Sequence, residues 1–419
     1  MNKPEKIKLR KGRKIMMTDK EFSEIKKRFR PDRNNITSVT GCFVSSSKEI
    51  LSRFKIPVGV LADEQKEWLM KLLKKAVTGA YGRNLQSIEF SNEQVESGEE
   101  HKLLMELRES GLENEELLTV FYEKIISSFT IEDSYLILLA YDPYDVPSFS
   151  KNDEDIEDST EMFRYFVCSV CPVKITKSAL GFSLADNTFK NIGAESSVCQ
   201  PKIGFMFPSF EERRTNIYNA VFYTGSTKEN YPEVLETLFG ATAQMPAEEQ
   251  KETFCNLVAE PAGEGRSLEF VQSVQNMISD MMTEHKESKD PEPLLLDKND
   301  VKRVLRTCGA DEKEMEGFDE RFESGFGESA EISPQNIVNP KQFEIKNSYL
   351  SLKVDPQYSF MVETKVLDGT KYVMVRADEG VQLNGISIHF DGEEPSIMSR
   401  LSKEIEDTAA TTKSSEENN

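Results

Sequence analysis

The sequence predicts an α+β protein, in which a mixed sheet core with helices is followed by a small β-rich C-terminal unit. Residues 135–141 form one continuous apolar run, which is typical of a strand buried on both faces. Residues 232–285 carry helical periodicity. After residue 350 the alternation of a β-strand returns, and Asp368-Gly369 is a strong hairpin-turn signal. These observations together define the fold class.

Length and charge limit what the protein can be. A chain of 419 residues can bury a large core without disulfide or metal cross-links. It has 73 acidic and 52 basic side chains, and the formal net charge of −21 argues against a broad nucleic-acid-binding face. No window is apolar enough for a membrane helix, and without an export signal the six cysteines are expected to stay reduced in the cytoplasm.

The N-terminal part combines one helix, one strand and two further helices. Thr18 and Glu21 have the spacing of a capping box, and the helix that they begin should stop before Pro31. Residues 36–44 are rich in β-branched side chains and predict a strand. The stretches "EQKEWLMKLLKKAV" and "NEELLTVFYEKIISSF" predict helices.

The middle of the chain is predicted to hold the main strands. The apolar run at 135–141 ends at Asp142-Pro143, where the buried strand is expected to leave the sheet. Further strands are expected at 163–175, 203–207 and 217–224, followed by the helical region.

The domain organisation follows from changes in composition. We expect a core domain at 18–288 and, after the linker "KESKDPEP", a unit of a helix pair and β-hairpins at 295–390. Asn384-Gly385 is a second candidate tight turn. The small, polar stretch 401–419 is expected to be a disordered tail.

The basic extension at 1–17 differs from the acidic remainder. "MNKPEKIKLRKGRKI" carries seven Lys/Arg and one Glu. One interpretation is an arm for nucleic acid or anionic lipid. The alternative, which we favour, is that Lys-Gly-Arg is encoded by a ribosome-binding site and that translation begins at Met16 or Met17. On that hypothesis residues before the start are not part of the cellular protein.

The Cys-x-x-Cys of Cys168 and Cys171 is expected to be structural. In a strand, alternation places Cys168 on one face and Cys171 on the other, so the two thiols cannot share a metal or form a disulfide. The other four cysteines are solitary, which leaves no second pair for a zinc site. We therefore expect no metal and no cofactor.

Asp142, Asp145 and Arg213 form the candidate polar site. The two aspartates follow a buried strand, where carboxylates can hold a divalent metal, although a simple turn is the alternative. Arg213 could clamp a carboxylate or phosphate, but a salt bridge to an acidic neighbour is the preferred interpretation. The three histidines have unrelated contexts and are expected to be solvated, so no catalytic set is assigned.

Several stretches resemble a known family. "LILLAYDPYDVP", "CSVCPVKI", "IGFMFPSFEERRTNIYNAVFYT" and "NIVNPKQFEIKN" are similar to the bacterial domain-of-unknown-function family numbered forty-three seventeen, found mainly in Gram-positive anaerobes. The resemblance covers about residues 18–388, and its beginning near Met17 agrees with the start-site hypothesis. It implies a bacterial, cytoplasmic setting and supplies no activity, cofactor or catalytic residue.

The function classes that remain are an interaction protein and an enzyme. We expect a non-enzymatic cytoplasmic interaction or structural protein, with a protein partner or a second copy of the chain as its ligand and no membrane. The partner's identity stays open. One alternative is a nucleoid-associated DNA-binding protein, suggested only by a similar order of elements. The other is a metal-dependent hydrolase centred on Asp142, Asp145 and Arg213.

A protein that begins at Met17 should bind duplex DNA only weakly at physiological salt. The net charge of −21 repels phosphate, and the densest basic cluster of the sequence precedes Met17. We expect a dissociation constant no tighter than roughly 10 μM in a gel-shift assay. Submicromolar binding would contradict this expectation and would favour the nucleoid-associated alternative.

Overall fold

The structure of the chain, a computed structural model, describes residues 17–147, 161–175, 179–184, 187–192, 196–259, 266–288, 290, 292–328, 330–377 and 380–389. The basic extension before Met17 and the polar tail at 401–419 lie outside the described residues. Two compact units divide between Pro356 and Gln357. This division lies further along the chain than the linker at 286–293.

The first unit holds the helices and most of the strands. The helices are α1 (Asp19–Arg28), α2 (Asp63–Lys74), α3 (Asn92–Ser97), α4 (Glu99–Glu109), α5 (Glu115–Ser128), α6 (Pro232–Phe239), α7 (Ala247–Ala259), α8 (Leu268–Ser288), α9 (Lys298–Thr307), α10 (Phe318–Phe326) and α11 (Pro334–Ile337). The strands are β1 (Ser38–Val44), β2 (Ile50–Pro57), β3 (Leu85–Glu89), β4 (Ser134–Val146), β5 (Glu161–Ile175), β6 (Ala179–Ser183), β7 (Thr188–Ile192), β8 (Ser196–Val198), β9 (Ile203–Phe207), β10 (Ser209–Glu211), β11 (Arg214–Asn216), β12 (Asn219–Thr224), β13 (Phe343–Lys346) and β14 (Ser351–Val354). The second unit contains β15 (Val362–Leu367), β16 (Thr370–Val375), β17 (Val381–Leu383) and β18 (Ile386–Ile388).

An antiparallel sheet forms the core of the first unit. Its strand order is β2-β1-β4-β5-β9-β12-β3, and β8 pairs with the end of β5. One face packs against α3, α4, α5 and α6. The other face packs against α1 and α2. This arrangement confirms the predicted α+β class. A sheet with two apolar faces needs a helical layer on each side.

A third apolar cluster is formed by α7, α8, α9, α10 and α11. In α8 the residues Val274, Ile278 and Met281 are buried, as the helical periodicity predicts. The strand alternation predicted after residue 350 is found in β14, which pairs with β13.

Local sequence signals set the ends of several elements. The capping box that begins α1 is confirmed: the backbone amide of Thr18 donates to Glu21 Oε2 at 2.7 Å, and the Glu21 amide donates to Thr18 Oγ1 at 3.3 Å. The turn at Asp368-Gly369 is also confirmed, since both residues have positive φ, 50° and 76°, as a type I′ turn requires. Asn384-Gly385 has the same geometry, with φ of 52° and 84°.

The predicted end of β4 at Asp142-Pro143 is wrong, because the strand continues to Val146. Over 135–140 it pairs with β1 on one side and β5 on the other. Beyond Ala140 its only partner among the described strands is β5. Proline has no N–H to donate to a neighbouring strand. Pro143 is tolerated at this position because β1 no longer pairs with β4 there.

The two cysteines of the Cys-x-x-Cys point to opposite faces of β5, as predicted. Cys168 belongs to the apolar cluster under α5, and Cys171 belongs to the cluster under α2. Both are buried and free. Burial raises the pKa of the Cys171 thiol to about 12 and raises the pKa of Cys168 well above its ordinary value. Both thiols therefore stay protonated at neutral pH and pack as small apolar groups.

Replacing both cysteines by alanine should lower the free energy of unfolding by about 1 kcal/mol or more, because each change leaves a small cavity on one face of the sheet. Denaturant unfolding of Cys168→Ala with Cys171→Ala measures this. Metal analysis of the wild type should find no stoichiometric zinc. Zinc that is present in the wild type and lost from the double variant would show that the pair is a ligand set.

Candidate functional site

Helix α1 places three charged side chains along one side. Glu21, Glu24 and Arg28 are three and four residues apart and so share a helix face. These side chains lie against the last residues of β4, against the first residues of β5 and against the turn between β10 and β11. We call the whole group the α1 cluster, which consists of Glu21, Glu24, Arg28, Asp142, Tyr144, Tyr165 and Arg213.

Asp142 is the buried centre of one half of the α1 cluster, with 1% of its surface exposed. Arg28 donates to it in bidentate geometry, from Nε to Oδ2 and from Nη2 to Oδ1, both at 2.9 Å. The Tyr165 hydroxyl donates to Oδ2 at 2.9 Å, and the backbone amide of Asn35 donates to Oδ1 at 2.8 Å. These bonds use the acceptor capacity of the carboxylate. A metal could bind Asp142 only by displacing one of them.

The charges of this half reinforce one another. Burial lowers the pKa of Arg28, but the hydrogen bond and the charge of Asp142 outweigh that effect and raise it. Burial raises the pKa of Tyr165 well above its ordinary value, and the neighbouring Asp142 raises it further. This half of the α1 cluster therefore joins a charged Arg28 guanidinium to the Asp142 carboxyl group, beside a neutral tyrosine.

Arg213 forms the other half, and the predicted salt bridge to an acidic neighbour is confirmed. Its guanidinium donates from Nε and Nη2 to the Glu24 carboxylate at 3.2 and 3.0 Å. Nη2 also donates to the Pro147 carbonyl at 3.0 Å, and the backbone amide donates to Glu21 Oε1 at 3.1 Å. Glu212 and Arg213 both have positive φ, 50° and 58°, so a tight turn presents this residue to α1.

Tyr144 connects the two halves. Its hydroxyl donates to Glu24 Oε1 at 2.7 Å, and its ring lies 4.5 Å from the guanidinium carbon of Arg28. Asp142 and Arg213 therefore belong to one network, through side chains of α1 that sequence reasoning did not assign.

Asp145 stays outside the α1 cluster. It is exposed, and it lies between Tyr144 and Val146, which both pack on the α1 face of the sheet. Alternation along the strand therefore turns Asp145 to the opposite face. Two positions three residues apart share a face in a helix but not in a strand. The structure thus joins two of the three candidate residues and separates the third.

A second buried carboxylate, Glu211, was missed by sequence reasoning. It accepts hydrogen bonds from Ser209 Oγ at 2.7 Å, from Asn219 Nδ2 at 2.8 Å and from Asn216 Nδ2. Burial raises its pKa, although the three hydrogen bonds lower it in part. Its partners lie across the β10–β11 turn, so only a correct hairpin prediction could have revealed it. Glu211 fixes this turn and with it the position of Arg213.

Two cavities lie away from the α1 cluster. One of about 310 Å³ is lined by residues of both the sheet edge and the helical layer: Tyr81, Gly82, Ala243, Gln244, Met245, Gln250, Leu295, Phe326, Ala330, Glu331, Ile332 and Ser333. The other, of about 250 Å³, includes His101, whose Nε2 lies 2.9 Å from the Ile217 carbonyl oxygen and whose ring packs against Phe90. The prediction that this histidine is solvated is wrong, because α4 buries it against the rings of Phe90 and Phe207. Both cavities have mixed polar and apolar linings.

Two features are absent from the part of the chain that the structure describes. No group of three or more histidine, cysteine, aspartate or glutamate side chains there has the arrangement of a metal site. No helix there is long and apolar enough to cross a membrane.

Comparison with known proteins identifies one family. The model described as "Domain of unknown function (DUF4317)" matches residues 17–386, which is most of the chain. No curated protein matches the sequence, and no solved structure matches it.

Asp142→Asn should destabilise the protein strongly, while Asp145→Asn should not. The first change leaves Arg28 without its buried counter-charge, which typically costs about 3–5 kcal/mol. The second change affects an exposed side chain on the other face and should stay within about 0.5 kcal/mol. Chemical denaturation of the two matched variants gives the comparison. Equal effects would mean that the Arg28–Asp142 pair does not anchor α1.

Glu211 should make stability depend on pH. Because burial raises its pKa in the folded protein above the ordinary value of 4.5, the folded state holds the proton more tightly than the unfolded chain does. Its contribution to the free energy of unfolding is present in full below pH 4.5 and falls as the pH rises through the folded pKa.

The matched variants Glu211→Gln and Glu212→Gln test this. Glu211→Gln should remove the decline above pH 4.5, whereas Glu212→Gln, at the exposed neighbouring position, should retain it. Urea unfolding across this range is the measurement. Parallel pH profiles for all three proteins would contradict the assignment.

Proposed function

Because this chain belongs to the DUF4317 family, whose function is unknown, we propose from its own surface that it is a non-enzymatic interaction protein. Its body is the two-sided sheet, and its binding elements are β-hairpins with an apolar face open to solvent. The setting that we propose is the bacterial cytoplasm.

The hairpin of β17 and β18 is the observation that carries the proposal. Val381 pairs with Ile388 and Leu383 pairs with Ile386, while Gln382 pairs with Ser387. Strand alternation therefore gathers the four aliphatic side chains on one face and the two polar ones on the other. Leu383 is 64% exposed and Ile386 is 73% exposed.

The hairpin of β15 and β16 in the same unit also exposes apolar side chains, although Thr364 and Lys371 lie among them on the same face. Val366, Val373 and Val375 share one face by the strand register, and each is at least 45% exposed. Isolated two-stranded hairpins are marginally stable in water, and contiguous apolar patches usually mark binding sites. The exposed apolar side chains of these hairpins favour a partner that covers them.

The chemistry of the β17–β18 hairpin favours a protein as that partner. Residues 380–388, "GVQLNGISI", contain no charged side chain. Binding to nucleic acid depends on lysine and arginine contacts to phosphate, which this hairpin does not offer. An aliphatic face instead suits the apolar centre of a protein–protein interface.

The α1 cluster supports a structural role for Asp142 and Arg213. Asp142 accepts bonds from Arg28, Tyr165 and Asn35, and Arg213 binds Glu24. These interactions hold α1 on the sheet. They account for the two residues without a substrate.

The test compares Ile386→Asp with Ser387→Asp, which place the same charge on opposite faces of one strand. Tagged full-length chain is cross-linked in the native cell and purified with and without nuclease. We expect the wild type and Ser387→Asp to retain the same cross-linked protein, and Ile386→Asp to lose it, because a desolvated carboxylate is costly.

Three results would contradict the proposal. Equal recovery by both variants would show that this face is not used. Partners released by nuclease would favour the nucleoid-associated alternative. Metal-dependent turnover that is abolished in a folded Asp142→Asn protein would favour the hydrolase alternative.

A further inference from the structure

The cavity of about 310 Å³ at the edge of the main sheet has no part in the function proposed above. We call it the edge cavity. We propose that the edge cavity binds a small organic cation, namely a primary amine carried on an apolar body. The hairpins lie elsewhere in the chain, so this inference does not depend on the proposed function.

The walls of the edge cavity are held together by a chain of amide hydrogen bonds. Gln250, on α7, donates from Nε2 to the Met245 carbonyl at 2.9 Å. Asn336 donates from Nδ2 to Gln250 Oε1 at 2.9 Å and to the Gly82 carbonyl at 2.7 Å. The sheet edge and α7 are thus fixed to each other, and the cavity is formed without a ligand. Its volume is in the range of small-molecule sites.

The same chain of bonds leaves one buried acceptor unused. The carbonyl groups of Gly82 and Met245 need donors, so they fix the orientation of both side-chain amides and leave Oδ1 of Asn336 as an acceptor. This oxygen has no hydrogen-bond partner in the described part of the chain, although Asn336 is only 6% exposed. Buried acceptors without a donor are uncommon. The wall therefore lacks a donor, which favours a ligand with N–H groups.

The charges around the edge cavity favour a cation over an anion. Among the described residues that line it, Glu331 is an acid and none is a lysine or an arginine. Burial, with a smaller contribution from nearby carboxylates, raises the pKa of the Tyr81 hydroxyl on the wall to about 12. Those carboxylates belong to Glu89, Glu211 and Glu331. The net charge of −21 adds to the negative potential, so an ammonium group is attracted and anionic ligands are repelled.

The rest of the lining suits an apolar body next to that ammonium group. Tyr81 and Phe326 contribute aromatic rings. The ring of Phe326 packs 5.0 Å from that of the buried Phe322, and the Tyr81 hydroxyl accepts from the Ser87 amide at 3.4 Å. Ammonium groups bind to aromatic rings within about 6 Å of the ring centre. The apolar side chains of the lining include those of Met245, Leu295 and Ile332.

One side of the edge cavity is open to solvent and the other is closed. Gln244 and Glu331 are exposed, whereas Gln250 and Ser333 are 8% and 4% exposed. A ligand can therefore enter beside Glu331, with its ammonium group near that carboxylate and its apolar body among the aromatic and aliphatic side chains.

The experiment titrates the full-length protein with phenethylamine by calorimetry at about 150 mM salt. We expect a dissociation constant on the order of 1 mM or tighter, as for a ligand of this size in a preformed site. The matched probe 3-phenylpropanoate has the same ring but carries a carboxylate, and it should bind at least about tenfold more weakly. Equal binding of the two probes, or no binding of phenethylamine, would overturn the proposal.

Two matched variants separate the edge cavity from the charge of the whole protein. Glu331→Gln removes the carboxylate of the lining and should weaken phenethylamine binding about fivefold. Glu328→Gln removes an exposed charge that does not line the cavity and should bind like the wild type. Equal affinities of the two variants would show that the probe senses only the net charge, and would overturn the proposal.

A third variant fills the space itself. Ala330 lines the edge cavity, and Ala330→Phe should weaken phenethylamine binding by roughly tenfold or more, because the new ring occupies the volume that the probe needs. Unchanged affinity in a folded Ala330→Phe protein would place the probe elsewhere and would contradict the proposal.

Nuclear magnetic resonance locates the probe even if Ala330→Phe does not fold. In protein with isotope-labelled methionine methyl groups, the signal of Met245, assigned by its loss in Met245→Leu, should shift on adding phenethylamine. The signal of the exposed Met162 on β5 should stay unchanged, and the opposite result would overturn the proposal. Ile386→Asp should leave the titration unchanged, so failure here and failure of the proposed function are distinguishable.

Discussion

The burial of β4 and β5 on both faces is the constraint on which the structure depends. Both strands contribute to two apolar clusters, one under α3 to α6 and one under α1 and α2. Any polar group in these strands must find its partner inside the protein, because an unpaired buried group is costly. Asp142 meets that condition through Arg28, and this bond ties α1 to the sheet.

The same constraint explains why conspicuous sequence features have structural roles. The Cys-x-x-Cys is divided between the two faces, and both thiols have raised pKa values because they are desolvated. The turn that carries Arg213 is fixed by the buried Glu211, and Arg213 completes the contact with Glu24. The cysteines thus pack the core, and the charged residues hold α1 on the sheet. Many of the exposed apolar side chains lie on the hairpins outside the two-sided sheet.

Local signals could be predicted from the sequence, and long-range ones could not. The capping box at Thr18 and the turn at Asp368-Gly369 depend on residues next to each other, and both were predicted correctly. The end of β4 was misplaced because the effect of Pro143 depends on whether β1 still pairs beside it. The bond between Arg28 and Asp142 joins residues 114 positions apart, which no spacing rule reaches. The separation of Asp142 from Asp145 followed from strand alternation once the strand was known to continue.

Hydrogen exchange of the full-length chain, followed by mass spectrometry with and without partner-containing lysate, tests most directly whether the protein works through its β17–β18 hairpin. The account predicts that amides of 381–388 exchange more slowly when partner-containing lysate is added. Amides of β4 should be protected under every condition, because the α1 cluster holds that end of the sheet. Exchange in 381–388 that is unaffected by lysate would contradict the account.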